Sequence, residues 1–133
     1  MTETTPSASP PNAVLFQLLF GKHVTTCLSA VARLGVADHM GPVPVAVDEL
    51  AAKTSAHGPS LYRVLRLLAS LGVFAEHDGR RFSTTDVGQL LKTNAPNSLR
   101  SLAIMYGDPW TMRPYEHLTH SVRTGGYGVH PGR

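Results

Sequence analysis

The chain has 133 residues, 42% of them hydrophobic and 16% charged, which is one domain's worth of chain with enough apolar content for a core and little room for a second. Its net charge of +3 comes from 12 Lys and Arg against 9 Asp and Glu scattered along the sequence, a balance that permits nucleic-acid binding without calling for it. A single cysteine, Cys27, excludes an internal disulfide and suits a reducing compartment.

Residues 1–12 form a Thr-, Ser- and Pro-rich stretch that cannot bury enough apolar surface to order itself, and a disordered tail is expected there. It has no positively charged start before an apolar run, so it does not read as a signal peptide. The expected location is the cytoplasm. Asn12 is a candidate N-cap for a long helix over Ala13–Leu34, along which Val14, Leu15, Leu18, Leu19, Val24, Leu28, Val31 and Leu34 recur at helical spacing. Around Leu15–Phe20 the helix is apolar on more than one face, although the run is too short to span a bilayer. A helix this oily needs cover on nearly every side. A second copy of the chain is the expected cover, through Leu15, Phe16, Leu19, Phe20, Val24 and Leu28. A charge at Leu19 or Phe20 is then expected to leave aggregated or unfolded chain.

Gly35 reads as the stop of that helix, and Val36–Met40 as a short helical turn. Val45–Thr54 suggests a short helix with Leu50 inward. After a turn holding Gly58 and Pro59, Ser60 is expected to cap a second helix with Leu61, Val64, Leu65, Leu68 and Leu71 on one face. A strand over Gly72–Glu76, the turn signal Asp78-Gly79 and a return strand over Arg81–Ser83 make a β-hairpin. Thr84 or Thr85 caps a helix reaching Leu91. A helix over Leu99–Tyr106 is broken by Asp108-Pro109, and a last one over Trp110–Val122 carries an awkward Pro114, so it starts more comfortably near Tyr115. The fold class is mostly α: a winged-helix-like domain over 13–123 with one β-hairpin and a long N-terminal helix. Residues 124–133, rich in glycine, read as a second disordered tail.

Four groups invite a chemical reading. His117 and His120 share a helix face, but two ligands make no metal site. His23 and Cys27 lie four apart, and Cys27 reads as a small buried hydrophobe rather than an activated thiol. No Ser-His-Asp arrangement or carboxylate pair is brought together, so no catalytic or metal-binding residue is expected. Met105, Tyr106, Trp110, Met112 and Tyr115 form an aromatic and methionine cluster whose simplest role is packing. Arg63 and Arg66 on the second helix, with Arg80 and Arg81 on the hairpin, could meet phosphates. That helix has no Asn or Gln, however, and Tyr62, Ala69 and Ser70 offer few base-reading groups.

The order Ala32–Asp38, Glu49–Ala51, Leu65–Phe74, Phe82–Gly88, Ser98–Arg100 with Trp110, and Ser121–Gly125 resembles the N-terminal dimerisation domain of bacterial and plant-like O-methyltransferases, in the acetylserotonin and polyketide group. The resemblance covers roughly Val14 to Gly125. It implies two subunits interlocked through their N-terminal helices, with Met105, Tyr106, Trp110 and Met112 as candidate substrate-lining residues. It also implies a following Rossmann-like domain that binds S-adenosylmethionine (SAM). Here Gly125–Arg133 follows, with no glycine-rich strand-to-helix loop. No cofactor is therefore expected to bind this chain, which reads as truncated before the catalytic domain or as working with a separate one. The expected partner is a second copy or that catalytic domain, with no membrane. A winged-helix DNA-binding regulator and a stand-alone ligand- or partner-binding domain are the alternatives.

Overall fold

The computed structural model describes residues 9–126. Two helices, α1 (Pro11–Leu19) and α2 (Gly21–Leu34), stand where one was expected, bent by 40° at their junction. The backbone bonds run on through the junction, from the Phe20 amide to Phe16 and from the Val24 amide to Phe20. The bend falls where Gly21 weakens helix continuity. Pro11 rather than Asn12 opens α1, because proline lacks the N–H that the first turn leaves unused. Helix α2 ends as expected at Gly35, in the left-handed region at φ 71°.

A 3-10 turn, Val36–His39, leads to β1 (Val45–Ala46) and α3 (Val47–Thr54). Then follow α4 (Gly58–Ser70), β2 (Phe74–His77), β3 (Arg81–Thr84) and α5 (Asp86–Gln89). Helix α4 begins two residues before the expected Ser60 cap. His57 is the N-cap and Pro59 sits in the first turn, with Ser60 Oγ 2.9 Å from His57 Nδ1. Thr85 caps α5 by accepting from the Gly88 amide at 3.2 Å. The C-terminal part holds α6 (Arg100–Tyr106), α7 (Pro109–Met112), a 3-10 segment (Arg113–His117) and α8 (Leu118–Thr124). The expected last helix is thus divided, and Pro114 lies in the 3-10 segment rather than at the start of α8.

The expected hairpin is part of a three-stranded antiparallel sheet in the order β1-β3-β2, with Val45 opposite Phe82 and Glu76 opposite Phe82 from the other side. The hairpin turn spans Asp78–Arg80, with Gly79 and Arg80 at φ 77° and 54°. One core lies between α2, α3, α4 and the sheet. Its fully buried large side chains are Val31, Val36, Leu50, Leu65, Leu68, Phe74 and Phe82. On α4, Leu61, Leu65 and Leu68 point inward as expected, whereas Leu71, expected on that face, is half-exposed beyond the helix end.

Candidate dimerisation surface

Helix α1 reads PNAVLFQLL: it has no charged residue and buries none. Leu15, Phe16, Leu18 and Leu19 are 58–72% exposed. Helical periodicity puts them on more than one side of α1, so no single intrachain neighbour could cover them all. Phe20 at the bend is also exposed and packs against His23, with ring centroids 4.5 Å apart and the rings tilted by 45°. Of the six expected interface residues, Leu15, Phe16, Leu19 and Phe20 are therefore open to solvent, and Val24 is half-buried. Leu28 packs against the core. Leu18, at 72% exposure, was not among the six, and the all-round apolarity of α1 was the signal for it. Between α1 and the end of α4, Phe16, Phe20, Val24, Leu67 and Leu71 line an open groove.

A second apolar surface lies on the far half of α2, where α6 packs against it. Leu28, Val87, Leu91, Leu99, Leu102 and Tyr106 line a cleft of about 250 Å³ with almost no polar surface. The walls approach closely because Gly107 has no side chain: a Cβ there would overlap Ser29, which is 3% exposed. Ser29 Oγ donates to the Ile104 carbonyl at 3.2 Å. Arg100 Nε donates to the Ala32 carbonyl at 2.8 Å, and Arg33 pairs with Asp108. These bonds lock the end of α2 to α6 and to the turn before α7.

The candidate substrate-lining residues are not gathered round this cleft. Tyr106 lines it, but Met105, Trp110 and Met112 do not. Trp110 is 65% exposed and its indole N–H donates to Asp108 at 3.2 Å. Among the described residues no three His, Cys, Asp or Glu side chains gather as metal ligands, so His117 and His120 belong to no such site. Burial pushes the Cys27 thiol up, which disfavours the reactive thiolate.

The arginines of the DNA-binding alternative are engaged within the chain. Tyr62 lies between Arg66 and Arg80, whose guanidinium carbons are 5.6 and 4.9 Å from its ring centroid. The Tyr62 hydroxyl donates to Glu76 at 2.9 Å, and Arg66 approaches the same carboxylate at 3.5 Å. Arg81 donates to the Asp78 carbonyl at 2.8 Å and Arg63 to Ser60 at 3.5 Å. The cluster fastens the hairpin to α4. No single helix among the described residues is long and apolar enough to cross a membrane; α1 and α2 reach that length and apolarity only as a bent pair.

The model of the O-methyltransferase dimerisation domain matches residues 16–94. The chain belongs to this family. A phenazine O-methyltransferase, PhzM, of Lysobacter antibioticus is 40% identical over 126 residues, covering 94% of this chain and 37% of the relative. The mitomycin biosynthesis 6-O-methyltransferase of Streptomyces lavendulae is 34% identical, covering 81% of the chain and 31% of the relative. Among solved structures, LaPhzM superposes with a TM-score of 0.82 at 40% identity, over 90% of this chain and 36% of that one. Human N-acetylserotonin methyltransferase, solved in complex with SAM, gives 0.76 at 26% identity, over 92% of this chain and 37% of that one. The chain thus spans about a third of the length of the relatives it matches. In this O-methyltransferase dimerisation domain the matched segment holds the α2–α5 core together with the apolar stretch from Phe16 onward.

Proposed function

We propose that this domain pairs with a second copy of itself through α1, and that it serves a small-molecule O-methyltransferase whose SAM-binding domain lies outside this chain. The observation that carries the reading is α1 itself: a nine-residue helix that buries none of its residues and exposes four large apolar side chains within the five positions Leu15–Leu19. Family membership supplies the kind of partner, and the absence of charge on α1 suits an isologous contact in which each helix meets apolar surface. The phenazine, mitomycin and acetylserotonin methyltransferases among its relatives support a small-molecule acceptor for the parent enzyme. A reducing cytoplasm is the setting that one half-buried thiol suits.

Leu19→Asp tests this. Because α1 contributes nothing to the core, the expected product is a folded monomer, not the unfolded chain that the sequence suggests. Light scattering after size exclusion should give dimer mass for the parent chain and monomer mass for Leu19→Asp, with the helical circular dichroism unchanged. A variant that stays dimeric at the same concentrations would remove α1 from the interface.

A further inference from the structure

We infer that residues 109–124 form an arm that pivots at Asp108, and that Arg33 of α2 latches the direction of this arm through the Asp108 carboxylate. The latch needs neither self-association nor a catalytic domain. Where a SAM-binding domain follows, as proposed above, the arm leads to it and the latch sets its angle to the core.

The domain is fixed up to Gly107 and lightly held beyond it. On the near side, Gly107 lies directly against Ser29, and Ser29 and Arg100 carry hydrogen bonds between α2 and α6. On the far side, α7, the 3-10 segment and α8 bury none of their residues. They pack chiefly on one another and on α6. Trp110, Tyr115, Leu118 and Val122 are all more than half exposed, so apolar burial does little to hold the arm in one direction.

Between the two stands Asp108. Its ψ of 144° breaks the helical path, and the Pro109 ring fixes the next φ, which leaves rotation about Asp108 as the joint. The same residue gathers polar contacts from both sides. One carboxylate oxygen accepts from Arg33, and the other accepts from the Trp110 indole N–H at 3.2 Å. The Asp108 carbonyl accepts from the Thr111 and Met112 amides, both at 3.1 Å, and from the Thr111 hydroxyl at 2.8 Å. Arg33 also reaches the Ile104 carbonyl at 3.4 Å, so one guanidinium joins α2, α6 and the start of the arm. The Arg33 and Asp108 side chains are 47 and 28% exposed, which leaves the pair open to screening by salt. The latch therefore releases as ionic strength rises.

Hydrogen exchange read by mass spectrometry, at one protein concentration, tests this with Arg33→Met and Arg33→Lys. Arg33→Met should speed exchange of the amides in 109–124 about two- to fivefold, the scale of an exposed ion pair, while α3 and α4 keep their protection. Arg33→Lys keeps the charge without the forked donor and should recover part of the loss. In the unaltered chain about 0.5 M sodium chloride should produce the same rise, and it should add little in Arg33→Met. Trp110, the sole tryptophan, gives a second readout: its fluorescence anisotropy should fall in Arg33→Met. Unchanged exchange in 109–124, with or without salt, would overturn the latch. So would an equal rise in α3 and α4, which would make the pair a prop of the whole domain. Should Arg33→Met fail to fold, the salt response of the unaltered chain decides alone.

Discussion

Gly107→Ala is the most informative single substitution for the α2–α6 contact. Gly107 has φ −95° and ψ −1°, which alanine accepts, so the change carries no backbone strain. The added Cβ would overlap both Oγ and Cβ of Ser29, and Ser29 is 3% exposed with its hydroxyl committed to the Ile104 carbonyl. Overpacking of this kind costs about 1–3 kcal/mol, and loosening the Ser29 hydrogen bond adds about 1 kcal/mol. The lower entropy of the unfolded alanine chain returns about 0.4–1 kcal/mol. The expected net loss is about 2 kcal/mol. Urea unfolding followed by circular dichroism would measure it, at one fixed protein concentration because association adds to apparent stability. Gly21→Ala is the control: nothing lies within 4 Å of its Cβ position, so it should gain up to about 1 kcal/mol. Combining Gly107→Ala with Ser29→Gly should recover much of the loss, less about 1 kcal/mol for a helical glycine. Stability for Gly107→Ala equal to that of the parent would refute the close approach, and with it the geometry of the cleft walls.

Two further outcomes follow from the polar clusters. Burial pushes the Asp38 carboxyl up, but hydrogen bonds from the Thr93 hydroxyl and amide, at 2.6 and 2.8 Å, with the Arg100 and His39 charges, outweigh it and hold the carboxyl below its ordinary range. A lowered folded-state pKa means the stabilisation is complete above about pH 5, well above the unfolded value, and fades as pH falls through the folded value. Asp38→Asn should therefore cost about 1 kcal/mol at neutral pH and lose less stability than the parent on acidification from about pH 5, as seen in urea melts at stepped pH. Tyr62→Phe should cost about 1 kcal/mol by removing the bond to Glu76, while a gel-shift titration of the parent chain should find no submicromolar, salt-steep DNA binding. Such binding would revive the regulator alternative.

The parts of the fold that were legible from sequence are those fixed by local chemistry. Gly35 stops α2 because it alone accepts φ 71° there, Thr85 caps α5, and Asp78-Gly79 marks the hairpin. The inward face of α4 follows from Leu61, Leu65 and Leu68 at helical spacing. Strand β1 was not legible: two residues have no period, and Val45–Ala46 is extended because it pairs with Phe82 and Arg81, far along the chain. The bend at Phe20 was hidden because the apolar pattern runs unbroken across Gly21. The oily character of α1 could be read directly. The α2–α6 cleft could not, since it depends on Gly107 lying against Ser29 across 78 residues.

Everything proposed for α1 depends on its being covered by a second chain. Sedimentation equilibrium of the unaltered chain, over protein concentrations from the low micromolar upward, reads this out. The expected mass is that of two 14.3 kDa chains, with dissociation only on dilution. A single 14.3 kDa species at the highest concentration, still fully folded, would contradict it.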